Sequence, residues 1–429
     1  MKIYSRFIVF FISFIIFSNN IVLAWRGAGL INGAYKGETL GTEEQYYGQR
    51  CYFNSVLQIL SKIEEINSQV VAFVDGLELV RPIRKRGGRR GRRGHGSERP
   101  VNTISEERVN FLKRYKKLIS NPEGSLRTGG RSIDAWPSYK AAISAFFPHD
   151  YDLPRQQDAE EFLTGFLDVL SELRNADETL FSVGDGFHFS CNRAGCPGYD
   201  ENLVPASMIR VNIPDHATHG VVRLEDCLRD YFSDEAVDVD SACRVIGCSG
   251  IRINKKRCIF SSGKYLFVQL RRFAWETVIE AGKEISREAK ISRAVRCPMV
   301  LDLAPYYVDV DEAVGNENYE LFGFIIHSGG CDAGHYWAYV KDSEGSAEPW
   351  TCYNDTSVKE KTSGTVRAIA NSGVESDGQI YVAVYKKVND VDLAEASDDI
   401  DSQPEAKRRK LDDKAGQGKK KREFGCVMV

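Results

Sequence analysis

The chain carries almost no net charge: over 429 residues the formal balance is −3, so no global field draws it to nucleic acid or to a membrane. Cysteines are sparse and odd in number. Eleven are spread over the whole length, which excludes a small disulfide framework and points to thiols used for metal and catalysis. No internal repeat of useful length is visible, which argues against a repeat array. Acidic residues are missing from 81–95, where eight Arg or Lys fall together. Such a run reads as a solvated loop, with RNA or another polyanion as the alternative partner. Beyond Lys387 the apolar period disappears, and 389–429 reads as a disordered charged tail. What is present in quantity is apolar: 42% hydrophobic residues and 11% aromatics suffice for a sizeable core, in one large domain or two ordinary ones.

Lys2 and Arg6 precede the apolar run Phe7 to Phe17, and Val22-Leu23-Ala24 offers a cleavage point. Residues 1–24 therefore read as a secretory signal peptide, with an uncleaved membrane anchor as the next reading. A Gly-rich linker over 25–41 follows. After Cys51 the apolar positions Val56, Leu57, Leu60 and Ile63 recur at helical spacing, with few breakers until Asp75-Gly76. Helical character resumes over Glu106 to Ile119 and again over Gln157 to Leu173. From about residue 180 the texture turns to short β-branched and aromatic runs, among them Tyr265 to Leu270, Leu321 to Ile326 and Ile380 to Tyr385. A helical first half and a sheet-rich second half make an α+β fold.

Three boxes carry the chemistry. Gln49 to Ser55 holds Cys51, Gly334 to Tyr339 holds His335, and Trp350 to Asp355 holds Asn354, nineteen residues after the His. They supply a thiol, an imidazole and an amide in that order. Cysteine attacks a carbonyl well only as thiolate, so it needs a proton acceptor and a local positive field. The start of a helix supplies that field through unpaired N–H groups and the macrodipole. The imidazole takes the proton, and a third polar group fixes its tautomer. Alone, a Cys before a helix is more often a small buried hydrophobe; the thiol on the helical half and the His on the sheet half place the site in the cleft between them.

Together the boxes resemble the ubiquitin-specific protease family of deubiquitinating cysteine proteases. The likeness extends to Gln156-Gln157-Asp158-Ala159-Glu160-Glu161-Phe162-Leu163, to Tyr265 through Leu270-Arg271-Arg272-Phe273, to Ala289-Lys290-Ile291 with Pro298 to Leu303, and to Asn318 to Leu321 followed by Ile326-His327-Ser328-Gly329-Gly330. It covers residues 42–388 in family order. The resemblance implies a papain-like fold with helical thumb, β-rich palm and zinc-ribbon fingers at about 186–262. It casts Cys51 as nucleophile, His335 as general base and then acid, and Asn354 as the group that orients the imidazole. Asp355 is an auxiliary candidate. The implied reaction cleaves after the C-terminal Gly-Gly of ubiquitin through a thioester acyl-enzyme, with no catalytic cofactor. Gln156, Asp158 and Glu161 would bind substrate; the two acids, three apart on one helix, would share a face and accept arginine from ubiquitin's tail. Gly334 would let the backbone approach that tail. The family usually has Asn five residues before the nucleophile and Thr directly before it. Here those positions are Tyr46 and Arg50, so Gln45, the Tyr46 hydroxyl and the Cys51 backbone N–H become the oxyanion candidates.

Cys191 with Cys196, and Cys243 with Cys248, form two C-x4-C pairs of the right number and type for a tetrahedral zinc site. The alternative from spacing alone is four buried thiols; the family places a structural Zn2+ at this point. Cys227, Cys258, Cys297, Cys331 and Cys352 read as core or incidental thiols. The end Cys426-Val427-Met428-Val429, after basic 419–422, has the shape of a prenylation box, and Lys407 to Lys410 that of a nuclear signal. Localisation thus divides between the secretory pathway and the cytoplasm or nucleus. Expected partners are ubiquitin and ubiquitinated proteins, with a monomer as the expected state. Two rivals stand beside the protease: a catalytically impaired ubiquitin binder, and a nucleic-acid binder acting through the Arg/Gly loop.

Overall fold

The computed structural model describes residues 50–79, 104–120, 135–147, 157–173, 177, 179–214, 222–237, 243–250, 253–280, 283–308, 317–331, 334–341 and 350–388. Among the described residues of the first half are five helices: α1 (Cys51–Leu60), α2 (Glu64–Leu79), α3 (Glu106–Ile119), α4 (Trp136–Phe146) and α5 (Ala159–Ser171). All ten residues of α1 are buried, Asn54, Ser55 and Gln58 among them. A helix without a polar face belongs in the interior. It packs on α5 and on three strands of the second half.

The apolar spacing after Cys51 led to the expectation of one helix reaching Asp75-Gly76. The structure divides it after Leu60, with neither Gly nor Pro at the break. Tight turn bonds, Lys62 N to Ile59 O and Ile63 N to Leu60 O, both 3.1 Å, redirect the chain. Asn67 holds the turn: its Nδ2 donates to Ser61 O at 2.7 Å, and its Oδ1 accepts from Tyr115 Oη at 2.8 Å. The bend lets Ile66 and Val70 bury against the helical core. Helix α3 forms over the range its pattern indicated, capped by Ser105, with Glu106 and Glu107 in its first turn and Lys116 and Lys117 in its last.

The strands are β1 (Val183–Cys191), β2 (Tyr199–Ala206), β3 (Ile209–Asn212), β4 (Val222–Arg223), β5 (Asp234–Val237), β6 (Ile253–Ser261), β7 (Tyr265–Arg271), β8 (Phe273–Glu280), β9 (Lys283–Lys290), β10 (Val295–Arg296), β11 (Val300–Asp302), β12 (Asn318–Gly329), β13 (Gly334–Lys341), β14 (Trp350–Asn354), β15 (Ser357–Lys361), β16 (Val374–Glu375) and β17 (Gly378–Lys387). Helix α6 (Leu224–Tyr231) follows β4, and α7 (Ser363–Ser372) follows β15. The large sheet runs β15-β14-β13-β12-β17-β7-β3, with β11 on β12 and β16 on β17. A second sheet runs β2-β1-β6-β5, and β8 with β9 makes a separate two-stranded ribbon.

The large sheet is buried on both faces, which is why its strands read as nearly continuous apolar runs. Tyr336, Ala338 and Val340 of β13 join the core under the helices; Trp337 and Tyr339 join the core on the far side, with α6 and α7. Phe162 of α5 is the hub of the helical core, fully buried, with ring centroids at 5.1 Å from Phe53, 5.5 Å from Phe146 and 6.0 Å from Phe111. Phe162→Ala is expected to cost about 3–5 kcal/mol of unfolding free energy, read from the shift of the urea midpoint.

Candidate active site

Cys51 is the first residue of α1, behind the N-cap Arg50. Its helix packs against β13, which begins at Gly334-His335, and against β14, which ends at Asn354. The structure therefore packs the helix that begins with the thiol against the two strands that carry the imidazole and the amide. His335 Nε2 lies 2.7 Å from Asn354 Oδ1, so that nitrogen donates to the amide oxygen and Nδ1 is the ring's other basic position. Asp355, next along the chain, holds its backbone at φ +50 and places a carboxylate oxygen 3.9 Å from the same Nε2. Asn54, one turn beyond Cys51, donates from Nδ2 to Asp355 Oδ1 at 2.8 Å. That bond ties the nucleophile's helix to the strand end that orients the imidazole. Asn54 was not singled out from sequence, although polar residues at 54, 55 and 58 of an otherwise apolar helix are the signal that marks it.

A second imidazole stands close by and could be mistaken for the base. His327 of β12 is 2% exposed and pairs across the ladder with Tyr336. Its Nδ1 has no hydrogen-bond partner among the described residues. Burial, reinforced by Lys290 and Arg272, pushes its pKa down to about 3, so it stays neutral. The positive charge behind it is unusual. Arg272, 0% exposed, spends its guanidinium on three carbonyls: Nε on Ile380 O at 2.6 Å, Nη1 on Ile291 O at 2.9 Å and on Arg293 O at 2.8 Å. Burial lowers its pKa to about 10 and, together with Arg272, lowers that of Lys290 to about 8. Nothing in the adjacent pair Arg271-Arg272 distinguishes the interior residue from the exposed one by sequence alone.

One sequence expectation is corrected here. Asp158 does not sit inside a helix with Glu161 on a shared face. It is the N-cap of α5, in extended backbone, and its Oδ1 accepts from Glu160 N at 2.7 Å. Tyr381 Oη binds the same carboxylate, at 2.7 and 2.6 Å from the two oxygens. Burial raises the Asp158 pKa to about 6, while Glu161 stands exposed in the first turn. Gly334 has a packing reason to be glycine, which stands beside the expected approach to a substrate tail. A Cβ there would fall 2.1 Å from His327 Nε2 and 2.5 Å from Ser328 O, so the missing side chain makes room for the buried ring. Arg50 is buried as well, 1% exposed, its guanidinium 6.0 Å from the centre of the Tyr139 ring.

The four cysteines of the two C-x4-C pairs converge at the tip of the smaller sheet, all sulfurs within 4.8 Å of one another. Cys191 Sγ lies 3.5 Å from Cys248 Sγ, and Cys196 Sγ lies 3.8 Å from Cys243 Sγ. Tetrahedral zinc with Zn–S near 2.3 Å requires sulfur separations of roughly 3.8 Å, so the donor set fits Zn2+. The two loops are built alike. Gly195 and Gly247, each directly before the second Cys of its pair, take left-handed φ of +77 and +80. The Gly250 N–H donates to Cys248 Sγ at 3.4 Å and, as the leading influence, draws that thiol down to about 7. Among the described residues every cysteine is free of disulfide. Cys227, Cys258, Cys297 and Cys352 are buried, and Cys331 is partly so.

Gln45, Tyr46 and Gln156 lie outside the described residues, as do the 1–24 segment, the basic run 81–95 and the tail with Cys426. Among the described residues no helix is long and apolar enough to cross a membrane.

Comparison with known proteins places this geometry. The sequence model of the ubiquitin carboxyl-terminal hydrolase family matches residues 44–385. Human ubiquitin carboxyl-terminal hydrolase 24 is 28% identical over 239 residues, covering 48% of this chain and 9% of its own length. Arabidopsis thaliana ubiquitin carboxyl-terminal hydrolase 25 is 28% identical over 366 residues, covering 79% of this chain and 47% of its own. The chain thus spans less than half the length of either relative. In three dimensions it resembles the SAGA DUB module of Ubp8, Sgf11, Sus1 and Sgf73 bound to monoubiquitin, with TM-score 0.56 and 19% identity over 86% of this chain and 70% of that one. A ubiquitin aldehyde complex of the same module gives TM-score 0.54 and 20% identity over 84% and 70%. The fold is the papain-like α+β arrangement of helical thumb and β-rich palm, and the chain belongs to the ubiquitin carboxyl-terminal hydrolase family.

Proposed function

We propose that this protein is a thiol-dependent deubiquitinase that hydrolyses the bond after the C-terminal Gly of ubiquitin in ubiquitin–protein conjugates. The observation that carries the proposal is the 2.7 Å contact of His335 Nε2 with Asn354 Oδ1, on strands against which the Cys51 helix packs. His335 Nδ1 takes the thiol proton, and Cys51 attacks the carbonyl to give a tetrahedral oxyanion. The backbone N–H of Cys51, at the helix start, is a donor to that oxyanion, with Gln45 and Tyr46 as the further candidates. The imidazolium then protonates the leaving amine and a thioester remains. Water, deprotonated by the same ring, releases ubiquitin and restores the thiol. Asn354 keeps Nε2 protonated so that Nδ1 faces the sulfur, and Asp355 with Asn54 fixes the strand end. His327, neutral and interior, serves packing.

Glu161, exposed at the start of α5, accepts an arginine of ubiquitin's tail, and Asp158 forms the cap beneath it. Cys191, Cys196, Cys243 and Cys248 would hold a Zn2+ whose role is a structural cross-link between two loops; it takes no part in the bond cleavage.

The direct test is reaction with ubiquitin bearing an electrophilic C-terminus. The native chain is expected to form a covalent adduct and Cys51→Ala none. Tight binding of ubiquitin by the native chain with no adduct would instead favour the impaired-binder reading.

Two further outcomes follow from the assigned roles. Asp158 has a native pKa of about 6 against 3.8 in the free side chain, so the fold favours its protonated form. Its contribution is complete below about pH 4 and is lost as pH rises through 6, at most about 3 kcal/mol. In Asp158→Asn the stability curve should flatten across that window, as measured by denaturant melts at stepped pH. For the metal, the purified chain should contain one zinc per molecule by elemental analysis. Cys243→Ser should release it and lower the thermal midpoint by several degrees. Full zinc content in that variant would rule out the four-sulfur site.

A further inference from the structure

A cavity of about 430 Å³ opens where the smaller sheet meets the large one. Three guanidiniums line it, those of Arg210, Arg257 and Arg271, against the single carboxylate of Asp185. Phe187 and Tyr231 contribute apolar wall. Two of the arginines are already committed. Arg257 grips Asp185, with Nε at 2.9 Å from Oδ1 and Nη2 at 2.5 Å from Oδ2, and lies 3.9 Å over the Tyr231 ring. Tyr231 Oη donates to the same carboxylate at 2.6 Å, so Asp185 is saturated. Arg210 turns the other way, its Nη2 2.6 Å from Glu160 Oε1 and 2.8 Å from Thr164 Oγ1.

Arg271 is different. It is the last residue of β7 and is exposed, and its side chain makes no hydrogen bond or ion pair among the described residues. The cavity is thus a rigid, partly aromatic cradle with one positive charge left over. The Arg210–Glu160 pair makes it continuous with the first turn of α5, the turn that carries Glu161. Under the proposed function that turn meets the substrate's tail, so the cavity faces the substrate's folded body.

We infer that this cavity is a specificity pocket that receives an acidic side chain from the folded body of the protein modifier, with Arg271 as its charge-reading residue. The inference rests on the proposed function for the identity of the modifier. A carboxylate on a rigid body suits the site better than a small hydrated anion, because aromatic wall is covered at the same time that the charge is met. A rim-exposed charge of this kind acts mainly on encounter and selectivity and weakens with salt.

The experiment compares Arg271→Glu with the native chain on two substrates bearing the same fluorogenic C-terminal amide: whole ubiquitin, and a peptide of ubiquitin's tail that lacks the body. The reversal should raise KM for ubiquitin about five- to twentyfold at low salt, with the effect shrinking in high salt. Turnover of the peptide should stay within about twofold, and Arg271→Lys should keep most of the native KM. Reversing ubiquitin's acidic residues to Lys one at a time should yield one variant on which Arg271→Glu outperforms the native enzyme. Equal loss on both substrates, or none on either, would overturn the inference. In the Cys51→Ala background the same reversal should weaken ubiquitin binding by the same factor, so loss of turnover in every variant would count against the protease and leave the pocket readable. Failure of that background to bind ubiquitin at all would overturn the pocket as well. Competition by inorganic phosphate that depends on Arg271, with ubiquitin binding unmoved by the reversal, would make this a small-anion site instead.

Discussion

The hydrogen bond from Asn54 to Asp355, spanning three hundred positions of chain, is the constraint on which the site turns. It joins α1, buried all round, to the end of the strand whose Asn354 meets His335. Both partners sit where solvent competes poorly, so the bond gains strength from low local dielectric and is costly to leave half made. Helix α1 could otherwise slide or rotate against a sheet whose facing side chains are largely apolar, since apolar contact is non-directional. One directional bond at its first turn removes that freedom. The positive φ of Asp355 is the local cost of turning the chain so that Asn354 and Asp355 can face different partners.

Behind the cleft the electrostatics are arranged by exclusion. A buried arginine without a carboxylate would be prohibitive unless carbonyl oxygens replaced its water, and three of them do. Burial, with Lys290 and Arg272 adding to it, keeps His327 uncharged, and burial with Arg272 draws Lys290 towards neutrality. Of two imidazoles within one strand pair, His335 is the one with an oriented side-chain partner, the Asn354 amide. Gly334 belongs to the same arrangement, because the His327 ring occupies the space a side chain would need.

The broad layout was legible because it is written in periods. Three-four spacing marked α3 to the residue, and unbroken β-branched and aromatic runs marked β7, β12 and β17. The chemistry-bearing Cys, His and Asn lay in boxes short enough to be read locally. What stayed hidden depends on contacts far apart in sequence. The break between α1 and α2 is held by Tyr115 through Asn67, the interior place of Arg272 by carbonyls of residues 291, 293 and 380, and the withdrawal of Asp158 by Tyr381. Helix α4 escaped notice because its small residues Ala141 and Ala142 give a weak apolar stripe. In each case a residue of ordinary local character takes its role from a partner that no window of a dozen positions contains.

The cysteine loops invert that relation, and they show why spacing rules need geometry behind them. A C-x2-C turn brings two sulfurs together with its own tight bend, whereas C-x4-C leaves two more residues to be absorbed. Here a left-handed glycine directly before the second cysteine absorbs them, in both loops, after a turn bond from the second Cys N–H to the carbonyl three residues back. Glycine pays no steric penalty at that φ, while a side chain would strain both loops. The loops therefore present their sulfurs at zinc-compatible separations through backbone geometry already in place. The cross-link would then fix the far end of the smaller sheet, while Asp185 and Arg257, paired across β1 and β6, fix its near end beside Arg271. A sheet held at both ends in this way would keep the charged cavity at a set distance from the cleft, as the inferred pocket requires.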